Sequence, residues 1–410
     1  MKLFVGIDVS STTLDVSYIT SEDNKEIHRS SVDNDIIGAN KIKQDIIKLN
    51  DRYEFKSITI GMESTSIYSF HPAYFFQSDE ELNSLNARAV VLNPKETKRY
   101  KNIYEENKTD SIDAFYIADY MRSGRFTSSV LKTEEYISLQ RLTHARSDMV
   151  KELTRAKQHF IDNLYYKVNK LADKNFETSV YGDTMMKLLV DDMTIDEIAN
   201  LPLESLSEYL RVKSHGRFAN PDRLAKAIKK AINGSYKLDK VIKNSIDVIL
   251  AMYANQIRAL SVSIKQLDKS IADQVKVIPE SQILLSIPGI GPVYCAGILA
   301  EVGDIERFNA ESQLAKYAGL AWKQTQSGNF RGTITPGVKT GNRYLHYYLV
   351  EAANQIVRYD PVFRSYYDKK MSEVQRSPKK RALVLTARKL IRVIFYLLTN
   401  HQIYKPEEVV

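Results

Sequence analysis

The chain predicts an α/β domain followed by an all-α region, and three features of its 410 residues carry that expectation. Over the first ninety or so positions, apolar runs of strand length alternate with polar turns and then with helical stretches, the pattern of a mixed sheet flanked by helices. From Glu134 onward, apolar residues recur at three- and four-residue spacing through long segments almost free of Gly and Pro, which marks long amphipathic helices. Hydrophobic content of 43% excludes a disordered chain, and the length exceeds what one ordinary core serves.

Residues 2–9, 13–20 and 25–31 predict three short strands joined by tight polar turns, Ser10-Ser11-Thr12 and then Ser21 to Asn24. A helix from about Asp35 to Leu49 follows, then a strand through Ile58-Thr59-Ile60. An aromatic-rich helical stretch covers Ile67 to Phe76, and Ala87 to Leu92 forms a fifth strand stopped by Asn93-Pro94. Three hairpin strands followed by alternating helices and strands is the RNase H-like order. Residues 134–168 and 238–277 are long helical patterns expected to pair as an antiparallel coiled coil, with Ile257, Leu260, Ile264, Leu267 and Ile271 on the seam. The segment between them, about 170–237, is punctuated by Pro202, Gly216, Pro221 and Gly234 and predicts an inserted helical bundle. The expected domains are therefore 1–130, 131–278 and 279–410.

The third of these opens with a helix-hairpin-helix pattern. Ser286-Ile-Pro-Gly-Ile-Gly-Pro292 lies between the apolar stretches Ile283 to Ile287 and Val293 to Val302. Gly289 and Gly291 would let the turn approach a phosphate backbone, with free amides at the second helix's N-terminus to bind it. The same residues read equally as a plain corner in a core. A Gly-rich loop from Ser327 to Gly341 and helices at 342–358 and 379–400 complete the chain.

Four acids occupy positions suited to divalent metal. Asp8 ends the apolar run from Leu3, and Glu63 ends the run from Ser57. Asp110 and Asp113 open a helix and, three residues apart, share one face of it. Taken singly, an acid after a strand is usually a turn residue, and Asp110 also reads as the N-cap of the helix that runs to Arg122. As a set in this order they form an oxygen-only cluster of the kind that suits Mg²⁺ or Mn²⁺ and acts on phosphates. Acids at the ends of core strands are costly to bury without such compensation.

The formal charge of +8 and pI near 9.1 favour a polyanionic partner. Twenty-five Tyr add flat faces suited to stacking on bases, although most serve cores and interfaces. Lys379, Lys380, Arg381, Arg388, Lys389 and Arg392 cluster late with no acid between them, and Arg331, Lys339, Arg343 and His346 decorate the Gly-rich loop and the helix after it. Phosphate contacts are expected from both groups. Cys295 is the only cysteine, which excludes an intramolecular disulfide and a thiolate zinc cluster. The longest late apolar run, Leu390 to Leu398, is interrupted by Arg392 and too short to span a bilayer, so a cytoplasmic protein without membrane partners is expected. Ser327, in a Gly-rich loop among cations, could be an attacking hydroxyl, but from the residues alone it reads first as an ordinary turn serine, with no His or acid beside it to act as base.

The combination resembles a known family. Gly6-Ile-Asp8-Val-Ser, Met62-Glu63-Ser-Thr, Asn93-Pro94, Lys108-Thr-Asp110-Ser-Ile-Asp113-Ala, Pro288-Gly-Ile-Gly-Pro, Ser327-Gly328 and Thr340-Gly-Asn-Arg343-Tyr-Leu occur in the order found in transposases of the insertion sequence 110 family, the DEDD transposases. The resemblance covers nearly the whole chain, least clearly the insertion at 170–237. It implies a RuvC-like nuclease domain, a coiled coil, and a C-terminal transposase domain supplying a catalytic serine. It also implies a structured noncoding bridge RNA that pairs with donor and target DNA, and a homo-oligomer, a dimer that becomes a tetramer in the synaptic complex. Carried over by position, Asp8, Glu63, Asp110 and Asp113 match the metal ligands, and Ser327 matches a nucleophile that forms a phosphoserine link to DNA. Lys108, Gly289, Gly291, Arg331, Lys339 and Arg343 are then the expected nucleic-acid contacts. Two departures stand out: Gln326 where many relatives carry a second serine, and Ser64-Thr65-Ser66 where relatives often place a glycine. The competing expectations are a Holliday-junction-type nuclease acting through metal-activated water, and a non-catalytic nucleic-acid-binding scaffold.

Overall fold

The computed structural model describes the chain except residues 24, 65–66, 105–109, 125, 127, 130–133, 323–325, 328–329, 332–336, 338–339, 374–376 and 407–410. For 110–111, 128–129, 326–327 and 330–331 it describes the backbone only. The chain forms two compact units, Met1–Thr133 and Glu134–Val410.

The first unit is a six-stranded mixed sheet with helices. Its elements are β1 (Leu3–Val9), β2 (Thr13–Thr20), β3 (Glu26–Asp33), α1 (Ile36–Tyr53), β4 (Ile58–Glu63), α2 (Phe70–Ser78), α3 (Glu80–Ser84), β5 (Ala87–Leu92), α4 (Pro94–Tyr104), α5 (Asp110–Arg122) and β6 (Ser128–Ser129). The spatial order is β3-β2-β1-β4-β5-β6. β1, β2 and β3 pair antiparallel, whereas β4 joins β1, and β5 joins β4, in parallel. This order and sense are RNase H-like. Strand alternation sends Leu3, Val5 and Ile7, with Ile58, Ile60 and Met62, into the core that also holds Ala39, Ile42 and Ile46 of α1. The opposite face carries Phe4, which packs in a second core with Ile117, Ala118 and Met121 of α5.

Two glycines control how close α5 comes. Gly6 and Gly61 are register partners on β1 and β4. A Cβ on Gly6 would lie 2.2 Å from the Ala114 carbonyl oxygen and 2.4 Å from the Ala118 nitrogen, and one on Gly61 would lie 2.2 Å from the Met121 sulfur. The helix backbone therefore rests directly on the sheet at this point.

The second unit is almost wholly helical. It comprises α6 (Glu134–Lys167), α7 (Asp183–Met186, continuing as a π-helical turn Lys187–Asp192), α8 (Ile195–Asn200), α9 (Leu203–Lys213), α10 (Pro221–Asn233), α11 (Lys240–Val275), α12 (Ser281–Leu285), α13 (Pro292–Val302), a 3₁₀ turn Ile305–Arg307, α14 (Glu311–Tyr317), β7 (Gln326–Ser327), β8 (Phe330–Arg331), α15 (Arg343–Tyr359), α16 (Pro361–Ser372) and α17 (Pro378–Thr399). The long helices α6 and α11 run antiparallel: Arg146 meets Asp268, and 2.7 Å separates Lys167 from Asp247. On α11, Leu250, Ile257, Ile264 and Ile271 are buried at seven-residue intervals, the spacing of a continuous packed seam. Beyond Lys167, helices α7 to α10 build their own core with the distal halves of both long helices. The proximal ends share a core with α12 to α17: Leu139, Ile271 and Val275 lie in one cluster with Ile298, Leu349 and Ile394.

Among the described residues, no helix is long and apolar enough to cross a membrane. Gly6→Ala should destabilise the chain by about 3 kcal/mol, at the upper end for overpacking, because backbone rather than a side-chain tip must give way. Urea denaturation with a midpoint equal to that of the wild type would contradict this close approach.

Candidate functional site

Asp8 and Glu63 immediately follow the register partners Ile7 and Met62 on parallel strands, so they end neighbouring strands at one level. Alternation places them on the same face as Gly6 and Gly61, the face that α5 covers. α5 runs back across β1, with Ala114 over Gly6 and the residues toward Met121 packed in the core with Phe4. Its first turn, bearing Asp110 and Asp113, is thereby brought to the strand ends. Asp8, Glu63 and Asp113 are each half-buried.

α4 completes this site. Pro94 occupies its first turn, where a missing N–H is harmless. Thr97 and Lys101, four residues apart and so on one face, both point at the acids. The Thr97 hydroxyl donates to Glu63 Oε1, and the Lys101 ammonium pairs with Asp113. Burial pushes the Glu63 carboxyl above the usual glutamate range; the Thr97 hydrogen bond opposes that rise, the Asp113 charge adds to it and Lys101 opposes it. Asp15 on β2 stands directly opposite Asp8. Among the described residues, no three His, Cys, Asp or Glu side chains draw together tightly enough to hold a metal as they stand. The acids share a face, with Thr97 and Lys101 occupying hydrogen-bonding positions between them.

Ser327 lies in the second unit. β7 and β8 pair as a short antiparallel hairpin, Gln326 with Arg331 and Ser327 with Phe330, and Trp322 bridges to Gly337. The loop returns to the helical core at Asn342, the N-cap of α15. The Asn342 side chain accepts from the backbone N–H groups of Tyr344 and Leu345, each at 3.0 Å. Its amide group donates to Glu301 Oε2 at 2.5 Å and to the Tyr317 hydroxyl at 3.0 Å. Glu301, 1% exposed on α13, also accepts from Gln140 and pairs with His144, both on α6. The His144 ring stacks on Tyr344 at 3.6 Å, and the exposed Arg343 guanidinium lies 4.8 Å from the centre of that same ring. One buried carboxylate thus ties the end of the serine-bearing loop to the long helix α6.

The other expected contacts divide. Gly289 has φ +87° in the turn between α12 and α13, and a Cβ there would lie 3.0 Å from Gln355 and 3.1 Å from Ile356 in the α15 backbone. Its missing side chain is required by the protein's own packing. Gly291, the N-cap of α13, has open space around it. The late basic group is not free of acids: Arg388 pairs with Glu311 of α14, and Arg392 reaches the same carboxylate at 3.8 Å. Lys389 lies over the rings of Phe363 and Tyr366. Lys379, Lys380 and Arg381 stay exposed at the start of α17. Lys108 and Lys339 fall outside the described residues, and Asp110, Ser327 and Arg331 are described by backbone only.

Comparison with known proteins places this architecture. A transposase model, DEDD_Tnp_IS110, matches residues 5–166, and a model described as "Transposase IS116/IS110/IS902 family" matches residues 281–368. The chain belongs to the IS116/IS110/IS902 transposase family. It is 28% identical to the insertion element IS900 uncharacterized 42 kDa protein of Mycobacterium paratuberculosis, over 73% of this chain and 74% of that one. It is 22% identical to the mini-circle putative transposase for IS117 of Streptomyces coelicolor, over 78% and 76%. A solved structure, T. thermophilus RuvC in complex with Holliday junction substrate, aligns with 32% of this chain and all of its own at 13% identity and a TM-score of 0.24. Strand order and sense make the first unit RNase H-like. As a member of this family the transposase is an enzyme of DNA recombination.

Two variants probe its polar sites. Glu63 has a raised carboxyl pKa in the folded chain, so its charge opposes folding above the ordinary glutamate pKa and has no effect once both states are protonated. In metal-free buffer, Glu63→Gln should therefore be more stable than wild type near pH 8, with the difference shrinking as pH falls through the raised value and gone below the ordinary one. A stability gap that widens toward low pH would reverse the assignment. Glu301→Ala should cost about 2 kcal/mol or more, since it removes a buried acceptor shared by the half-buried Gln140, His144 and Asn342. A denaturation midpoint unchanged from wild type would show that the network is not structural.

Proposed function

We propose that the chain is an RNA-guided DNA recombinase that cleaves and rejoins strands through a phosphoserine intermediate, with residues 1–130 as its RuvC-like nuclease domain and 279–410 as its transposase domain. The observation that carries this is the convergence of Asp8, Glu63 and Asp113 on the sheet face covered by α5. Their donor set is oxygen only, and Glu63 is raised partly by the neighbouring Asp113 charge, as expected of acids gathered for a cation. Asp8, Glu63, Asp110 and Asp113 would hold Mg²⁺ or Mn²⁺. Bound there, the ion would supply neutralisation of charge on the scissile phosphate.

Ser327 is assigned the attack. Its oxygen bonds to phosphorus as the phosphorus–oxygen bond to the neighbouring nucleotide breaks, and the departing DNA hydroxyl takes up a proton. The serine ester keeps the phosphodiester energy, so a hydroxyl of the incoming strand can reverse the step without ATP. Arg331, Lys339 and Arg343 flank the loop, and Arg343 is held beside the anchored N-terminus of α15, where positive charge suits a phosphate. Lys108, next to the acid pair, would contact the same backbone. The exposed Lys379, Lys380 and Arg381 and the net charge of +8 suit a structured guide RNA together with donor and target DNA. Two strands exchanged at two sites require several copies of the chain, a dimer and then a tetramer.

The test uses end-labelled donor and target DNA, Mg²⁺, and protein purified from cells that also express the noncoding DNA flanking its reading frame. Wild type should carry a defined RNA and form a protease-sensitive protein–DNA adduct. Ser327→Ala should keep the RNA and lose the adduct and recombination, and Asp113→Asn should lose strand cleavage while remaining folded. Cleavage without an adduct in the wild type would favour a nuclease using water. An adduct that persists in Ser327→Ala would move the nucleophile, with Thr325 next in line. Recombination by RNase-treated protein would remove RNA guidance.

A further inference from the structure

Lys101 is a cation built into the acid site. Its side chain is only 12% exposed, and its ammonium is paired with Asp113, itself 21% exposed. It stands one turn beyond Thr97 on α4, and Thr97, 3% exposed, holds Glu63. The Lys101 charge reaches Glu63 as well, opposing the effect that Asp113 exerts on the same carboxylate. A side chain this enclosed does not meet Asp113 as a fluctuating surface pair; the packing of α4 delivers it there.

We propose that Lys101 is the resident counter-ion of the acid face, stabilising the metal-free transposase and giving up Asp113 when a divalent cation binds, so that it sets the metal affinity of the site. The inference rests on the proposed metal-binding role of Asp113. Without a cation, Glu63 and Asp113 repel one another, and the ammonium relieves that repulsion. A divalent ion carries twice the charge and can accept several carboxylate oxygens at once, whereas an ammonium only donates hydrogen bonds. Both cannot satisfy the same Asp113 oxygen, so the pairing that stabilises the metal-free chain lowers the apparent affinity for metal. The arrangement would let the enzyme fold and assemble before metal arrives and would keep weakly bound cations out.

The test compares wild type, Lys101→Met, Lys101→Arg and Asp113→Asn as full-length proteins. Mn²⁺ binding is measured by calorimetry, and thermal stability is measured in chelator and in Mn²⁺. In chelator, Lys101→Met should melt below wild type and Lys101→Arg close to it. Lys101→Met should then bind Mn²⁺ on the order of tenfold more tightly and gain more in melting temperature from Mn²⁺ than wild type does. If Lys101→Met will not fold in chelator, folding restored by Mn²⁺ supports the same conclusion. Unchanged or weaker Mn²⁺ binding by a folded Lys101→Met, with Asp113-dependent binding intact in wild type, overturns the counter-ion role alone. Absence of Asp113-dependent Mn²⁺ binding in every protein overturns that role and the metal reading together.

Discussion

The close approach of α5 to the sheet is the constraint on which the first unit depends. With Gly6 and Gly61 side by side on parallel strands and Ala114 and Ala118 on the helix, α5 sits directly on the sheet backbone. A helix held off by larger side chains would carry Asp113 away from the strand-end acids by several ångströms, roughly the difference between a short and an ordinary interelement distance. Gathering carboxylates at a half-buried face is electrostatically unfavourable: burial raises the Glu63 carboxyl, and the Asp113 charge adds to that rise. Close packing of α5 offsets that cost, and α4 moderates it by contributing one hydroxyl and one ammonium. Fold and site are therefore one problem in this unit: the contacts that build the core fix the spacing of the acids.

The second unit solves a different problem, that of holding a serine-bearing loop on an all-helical scaffold. A hairpin of two-residue strands has little stability of its own. Its C-terminal end is instead secured by the N-cap of α15, and that cap is secured by the buried Glu301. Because Gln140 and His144 also reach Glu301, the loop's end is fixed to the seam of α6 and α11 rather than to a free helix terminus.

Much of this was legible in the residues because strand alternation and helical periodicity are local. Apolar runs mark β1, β4 and β5 along with the acids that end the first two, and apolar residues at three- and four-residue spacing mark α11. Other features depend on which distant residues meet. The pairing of Arg388 with Glu311 joins residues more than seventy positions apart, so a basic cluster with no acid in its own segment still has one in space. Thr97, Lys101 and Asp15 were not singled out for the same reason: a threonine and a lysine on a polar helix carry no sign that the helix leans on a carboxylate pair. The available signal was Asn93-Pro94. Read only as a strand stop, it is also a helix start, and placing α4 there puts Thr97 and Lys101 on one face beside the end of β4. At Gly289 the sequence leaves two readings open, and the close approach to α15 that its positive φ allows depends on residues far away in the chain.

The proposed divalent-cation site lies on the sheet face under α5, assembled from strand-end and helix-start acids. Anomalous diffraction from crystals of the full chain soaked in Mn²⁺ tests it most directly, because it locates the ion without reference to activity. A peak is expected within bonding distance of carboxylate oxygens of Asp8, Glu63 and Asp113, with the Lys101 ammonium withdrawn from Asp113. Manganese bound elsewhere, with that face empty and Lys101 still paired to Asp113, would contradict it.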